Sequence, residues 1–242
     1  MKNFTVSVRK LTDLELLQEA CATTFLGTSN ASLISLYKSE HSPVRTQLFW
    51  ISLKNIPLYI STHLLRHHVG SVPFQLTCRD DRKGGNPGLP DKLESIKERL
   101  NGLIENWSNG GSFIRDYQQI ADSISEELNW LKENSDRETP VNLALCINAQ
   151  SLVDMAKLRL CTGCAASGTV TVFKAIKDKI SQIDPDLASM MVRKCVYRNG
   201  LCGEQRCCGF NRTPAFEVEL RGYVSHFTEK QKGINNKSEQ SK

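Results

Sequence analysis

The densest group of chemically capable side chains is Arg66-His67-His68-Val69-Gly70-Ser71, continuing through Gln75 to Thr77, Cys78 and Arg79. Two arginines, two histidines and two hydroxyls within fourteen residues can hold an anion. Guanidinium forks and hydroxyl donors match the oxygens of a phosphate. The same residues also suit a polar helix end, where Arg and His satisfy the last carbonyls. A second group runs from Asn148-Ala149-Gln150-Ser151-Leu152 to Arg159. Asn148 and Arg159 are eleven residues apart, about three helical turns, so both can point one way. Read alone, this stretch is equally an amphipathic helix with Gln150 and Asp154 on a solvated face.

Other signals are weaker. Gly163 to Thr169 imitates a phosphate-binding loop, but Thr169 stands at the obligatory lysine position. His63 and His67 are four apart on a predicted helix, yet no Glu lies beside His63 to complete a zinc-hydrolase pair. Of nine cysteines, Cys195, Cys202, Cys207 and Cys208 cluster near the C-terminal end, and Cys161-x-x-Cys164 precedes them. Their spacing is looser than the paired knuckles of zinc ribbons. With no secretory signal, they read as reduced thiols packing a C-terminal loop, and no metal is expected.

The elements that must position these groups follow from periodicity. Residues 3–8 alternate as a strand, and Thr12 with Glu15 predicts a capping box opening a helix with Leu14, Leu17 and Ala20 inward. Residues 47–53 predict a second strand. Pro57 starts a helix carrying Ile60, Leu64 and Leu65, which ends near His67–His68 with Gly70 as the break. Residues 80–91 read as a loop. Stripes of Leu93, Ile96, Leu100 and Leu103, then Ile114, Tyr117, Ile120, Ile124 and Leu128, predict two helices. Residues 141–147 predict a strand and 148–161 a helix burying Leu152, Val153 and Ala156, while Asp184–Pro185 opens a short helix to Val192. The expected class is α+β, a mixed sheet flanked by helices in a single domain over residues 1–227, with the Cys-rich segment 195–209 near its end. Residues 228–242 have no apolar pattern and are expected to be a disordered tail.

Composition bounds the function. At 40% hydrophobic and 24% charged, the chain looks like an ordinary soluble protein, and no apolar run approaches a membrane span. A net charge of +5, spread along the chain, suits an anionic small molecule. No basic stripe or reader motif points to nucleic acid. The alternating N-terminus is not a signal peptide, so the cytoplasm is expected.

Taken together, the two polar groups resemble the flavin-dependent thymidylate synthases, in particular their phage-type branch. Arg66-His67-His68-x-x-Ser71 followed by Gln75, Thr77 and Arg79 is similar to that family's signature. Glu40-His41-Ser42-Pro43 looks like its His-x-Thr/Ser-Pro segment, and Asn148-Ala149-Gln150-Ser151-Leu152 through Leu158-Arg159 looks like its Asn-Ala-Arg-Ser-Leu segment. Order and spacing agree over roughly residues 35–175. The resemblance implies the fold of that family and reductive transfer of a one-carbon unit from methylenetetrahydrofolate to the 5-carbon of dUMP. FAD would be the cofactor, NADPH a co-substrate, and a homotetramer the assembly, in the cytoplasm or a host's cytoplasm. It assigns His41, Ser42, Arg66, His67, His68, Asn148 and Asp154 to the flavin, with Asp154 standing where an Asn is usual. It assigns Gln75, Thr77, Cys78, Arg79, Arg137 and Arg159 to the nucleotide, with Arg159, Thr77 and His67 nearest the chemistry. The alternatives are methyl or hydroxymethyl transfer to another pyrimidine such as dCMP, a nucleotide- or nucleic-acid-binding protein that kept the fold without catalysis, and a zinc-stabilised interaction module.

Overall fold

A computed structural model describes residues 4–25, 32–76, 89–108, 122–130, 137 and 139–225. Its centre is a four-stranded antiparallel sheet in the order β1-β2-β4-β3. The strands are β1 (Thr5–Lys10), β2 (Leu48–Pro57), β3 (Ser71–Gln75) and β4 (Pro140–Asn148). Alternation sorts the side chains: Phe49, Ile51 and Leu53 of β2 join Val141, Leu143, Leu145 and Ile147 of β4 on one fully buried face.

Helices cover that face: α3 (Leu58–Leu65) lies over β2 and β4, α6 (Ala149–Arg159) follows β4, and α7 (Ser167–Ser181) packs on β1 and on α8 (Pro185–Met190). The remaining helices are α1 (Leu14–Phe25), α2 (Leu33–Lys38), α4 (Leu89–Ser108), α5 (residues 122–130), α9 (Lys194–Tyr197) and α10 (residues 214–225). Among the described residues no helix is long and apolar enough to cross a membrane. The architecture is α+β, as the mixture of patterns predicted. On the opposite face of the sheet, Val72 and Phe74 are 57% and 53% exposed, and Phe74 packs 5.3 Å from Trp50.

Several local expectations are corrected. Thr12 does not cap α1: its hydroxyl donates to the Thr46 carbonyl and accepts from the Leu48 N–H, tying the chain to β2. Asp13 caps instead, accepting from the Leu16 N–H at 3.0 Å. That shift by one residue turns Leu14 outward and puts Leu17 and Cys21 in the core. Leu100 and Leu128, expected inward, are exposed, whereas Ile96 is buried. Helix α4 begins at Leu89, inside the segment read as a loop. Strand β3 and helices α2, α7 and α10 were not anticipated. Residues 77–88, 109–121 and 226–242, with the remaining loop, part of the second stripe and the tail, lie outside the described residues.

Asp184 fastens the covering layer. Its carboxylate accepts from Lys10 of β1 at 2.7 Å, from the Tyr37 hydroxyl of α2 at 3.0 Å, and from the Leu187 N–H at the start of α8. It is 3% exposed. Removing one partner of such a buried set leaves the others desolvated and unmatched. Asp184→Ala should therefore cost about 3 kcal/mol in urea unfolding, and Tyr37→Phe only about 1 kcal/mol. Equal losses would show that Asp184 acts through packing alone.

Candidate functional site

The candidate site is built where α3 ends and α6 begins. Helix α3 stops with Arg66 at its C-cap, and the His67 N–H closes a tight turn on the Leu64 carbonyl at 3.1 Å. The chain then reverses at Gly70, whose φ is 69°, and enters β3. A β-carbon there would collide with the Asn148 amide and the Ser151 hydroxyl, so glycine is required for space as well as for its backbone angle. The reversal is stitched to the start of α6. Ser151 Oγ donates to the Val69 carbonyl at 2.6 Å, and the Asn148 N–H donates to the Gly70 carbonyl at 3.0 Å. Asn148 also caps α6, its side-chain oxygen accepting from the Ser151 N–H at 2.8 Å.

These constraints bring the two sequence groups face to face. Arg159, 8% exposed at the end of α6, donates from Nε to His67 Nε2 at 2.9 Å across ninety-two positions of sequence. Burial first, and then the Arg159 guanidinium, push His67 down to about 4. At neutral pH its ring is therefore uncharged, with Nε2 the acceptor and the proton on Nδ1.

The turn borders an open cleft of about 410 Å³, lined by Arg45, Arg66, His67, His68, Asn148, Gln150 and Asp154 among others. Arg66 also borders a second cleft of about 230 Å³ with Tyr59, Thr62, His63 and Arg137. Burial, followed by the nearby guanidiniums of Arg159, Arg66 and Arg137, holds His63 below its ordinary value. Three cations thus act on one region, which suits an anionic ligand.

Acidic groups at the rim are already engaged. Lys157 binds Glu40 and Asp154, each at 3.0 Å, and Gln150 donates to Glu40 at 2.7 Å. Burial alone would raise the Glu40 carboxyl, but the bonds from Lys157 and Gln150 outweigh it and hold it below the usual range. Asp154 therefore meets the cleft with its charge partly offset. His63 is not poised beside His67 for a metal; its Nδ1 lies 2.9 Å from the Thr169 hydroxyl. Among the described residues no three His, Cys, Asp or Glu side chains form a metal-binding group.

Of the residues singled out in the sequence, Arg66, His67, His68, Asn148 and Asp154 meet at the larger cleft, and Arg159 stands behind His67. Arg137 lines the smaller one, and its carbonyl accepts from the Tyr59 N–H at 3.0 Å. His41 and Ser42 open the 3-10 turn Ser42–Thr46, but the cleft residue of that turn is Arg45. Gln75 pairs with Leu143 in β3 and lines neither cleft. Thr77, Cys78 and Arg79 lie outside the described residues. Sequence reasoning missed Arg45, Tyr59 and Thr62. No pattern in the sequence marks Arg45; the 3-10 turn Ser42–Thr46 carries it to the cleft.

Comparison with known proteins finds likeness among solved structures alone. No family model and no curated protein matches the chain. Among solved structures, thymidylate synthase X from Helicobacter pylori, crystallised with FAD and dUMP, is similar at 16% identity and a TM-score of 0.44, over 76% of this chain and 99% of that one.

Two outcomes follow from the geometry. Gly70→Ala should lose more than about 1 kcal/mol of stability in denaturant unfolding, and a smaller loss would mean that the turn relaxes freely. In an NMR titration, His67 should protonate near pH 4, and Arg159→Ala should move that midpoint upward. The unfolded ring titrates at about 6.5, so between these values the unfolded chain binds the extra proton. The stability His67 contributes is thus full above about pH 6.5 and is lost as pH falls toward 4. A midpoint unmoved in Arg159→Ala would separate the two side chains in solution.

Proposed function

We propose that the chain is a flavin-dependent thymidylate synthase-like enzyme that adds a one-carbon unit to the 5-carbon of a pyrimidine deoxynucleotide, dUMP in the first instance. One observation carries this reading. The two segments that resemble the family's motifs, far apart in sequence, meet through the Arg159–His67 hydrogen bond beside a cationic cleft.

The residues suit a phosphate-bearing flavin. Arg45 and Arg66 supply charge, Asn148 and Gln150 supply amides, and Lys157 partly offsets Asp154, so a dinucleotide meets a weakened negative charge there. Arg66, His67, His68, Asn148 and Asp154 would hold FAD, with His41 and Ser42 near its far end. When bound and reduced by NADPH, FAD supplies hydride and the means of carrying carbon from methylenetetrahydrofolate. Thr77, Cys78, Arg79, Gln75 and Arg137 would grip the nucleotide, the arginines at its phosphate. Arg159 would lie against the pyrimidine, its guanidinium stabilising negative charge as the ring becomes nucleophilic. Neutral His67 orients that guanidinium without neutralising it. The exposed side chains of Val72 and Phe74 mark the part of the sheet where another subunit of a homotetramer would pack.

The test is product analysis by mass spectrometry with FAD, NADPH, methylenetetrahydrofolate and either dUMP or dCMP. Formation of dTMP supports the reading. Product from dCMP alone, or a hydroxymethylated product, moves the protein to a related transferase, and a protein that cannot be reconstituted with FAD points to a non-catalytic binder.

Arg159→Ala should depress turnover at saturating nucleotide at least tenfold, while flavin reduction without nucleotide persists. A normal single-turnover rate in a folded variant would remove Arg159 from the site. Arg79→Ala should instead weaken nucleotide binding by roughly ten- to a hundredfold. Asp154→Asn should tighten FAD binding in a titration, and equal or weaker affinity would place Asp154 away from the cofactor.

A further inference from the structure

The larger cleft carries two amide side chains, Asn148 and Gln150, each held in one orientation by its own partners. Asn148 Oδ1 accepts from the Ser151 N–H at 2.8 Å, and a backbone N–H can only donate. The group that Asn148 has left for a ligand is therefore Nδ2, a donor. It lies beside Gly70, which also lines the cleft and has no side chain to cover it.

Gln150 is fixed the opposite way. Its Nε2 donates to Glu40 Oε2 at 2.7 Å and faces both Asp154 carboxylate oxygens at 3.4 Å. A carboxylate only accepts, so the amide nitrogen must point toward these groups, and Oε1 is left for a ligand as an acceptor. Glu40 does this from behind, since it does not itself line the cleft. Its φ is 48°, in the left-handed region where a residue with a side chain is strained. The strain is held by a buried turn: the Glu40 N–H bonds the Tyr37 carbonyl and the His41 N–H bonds the Leu36 carbonyl, each at 3.1 Å. Lys157, 3.0 Å away, anchors the same carboxylate from its other oxygen.

A phosphate has no hydrogen to give Gln150 Oε1, and the Asp154 carboxylate repels anions. This part of the cleft suits a neutral group in which an N–H stands next to a C=O. The isoalloxazine ring carries such a lactam edge at N3. We propose, on the flavin reading above, that Glu40 is a positioning residue that presents Gln150 as an acceptor, so that Gln150 and Asn148 together select this edge of the flavin. Gln150 Oε1 would accept from the flavin N3–H, and Asn148 Nδ2 would donate to the carbonyl beside it. Arg45 and Arg66 remain for the phosphates.

The test is titration of the full-length protein with FAD and with 3-methyl-FAD, which lacks the N3 hydrogen, followed by flavin absorbance. Wild type should prefer FAD by about tenfold or more. Gln150→Leu should bring the preference to about one, and Glu40→Gly should cut it several-fold. Glycine relieves the strain at position 40, so that variant should fold even if others do not. The double variant should be no worse than Gln150→Leu, because both changes remove one interaction. A merely structural role for Glu40 would weaken both flavins alike and leave their ratio unchanged, which would overturn the proposal. Equal binding of the two flavins by wild type would also overturn it while leaving the flavin reading in place. No binding of either flavin would remove both.

Discussion

Strand β4 ends at Asn148, and at that one residue two separate chain segments have to be satisfied at once. Its N–H bonds the Gly70 carbonyl while its side chain caps α6. The next residue, Ala149, donates from its N–H to the Gln47 carbonyl at the entry to β2. The central strand, the helix after it and the turn after α3 are therefore fixed by one junction, with no room for a side chain at position 70. Moving the junction by one residue would flip every β4 side chain between the core and the open face. The buried run Val141, Leu143, Leu145 and Ile147 forbids that, so packing of the sheet sets where the cleft residues stand.

Within that frame the electrostatics are unusual in one respect. A buried guanidinium normally stands against a carboxylate, which compensates its desolvation but cancels its charge. Here Arg159 is held by imidazole. A neutral acceptor orients the guanidinium and leaves its charge available to the region shared with Arg66 and Arg137. The cost is borne by His67, whose protonated form is displaced toward acid pH. The rim reverses the pattern, since Lys157 pairs with Glu40 and Asp154 and offsets part of their charge. Such an arrangement attracts an anion and discriminates against cations.

Much of this was legible from residues alone, for definite reasons. Strands β2 and β4 were visible because their alternation is strong and burial on one face enforces it. Helix α6 was visible through the spacing of Leu152, Val153 and Ala156, while the role of Asn148 as its cap emerges only in the structure. Strand β3 was not, because Val72, Pro73 and Phe74 are all exposed and Pro73 reads as a break. The cap of α1 was misplaced because Thr12 and Asp13 are adjacent candidates, and only the pairing of Thr12 with Thr46 and Leu48 decides between them. In the site, the types of Arg66, His67 and Arg159 indicated anion chemistry, but the hydrogen bond joining two of them is a tertiary fact. Arg45 escaped because a lone arginine three residues past Ser42 carries no periodic signal.

The thiol cluster and the cleft are not independent parts of the molecule. Helix α6 carries Arg159 in its last turn, and two residues later Cys161 begins a turn that lines a small cavity with Cys195, Cys202, Cys207 and Cys208. The Leu160 N–H bonds Ala156, and the Ala165 and Cys164 N–H groups both bond the Cys161 carbonyl, so the end of α6 continues into the cysteine turn without slack. The chain from Arg198 to Gly209 contains no helix or strand, and Leu201 within it is 73% exposed. It is anchored by polar contacts such as Lys194 to Glu204 and Asn211 to the Gly200 carbonyl rather than by an apolar core. Arg159, buried and bonded to His67, lies on the rigid side of that joint.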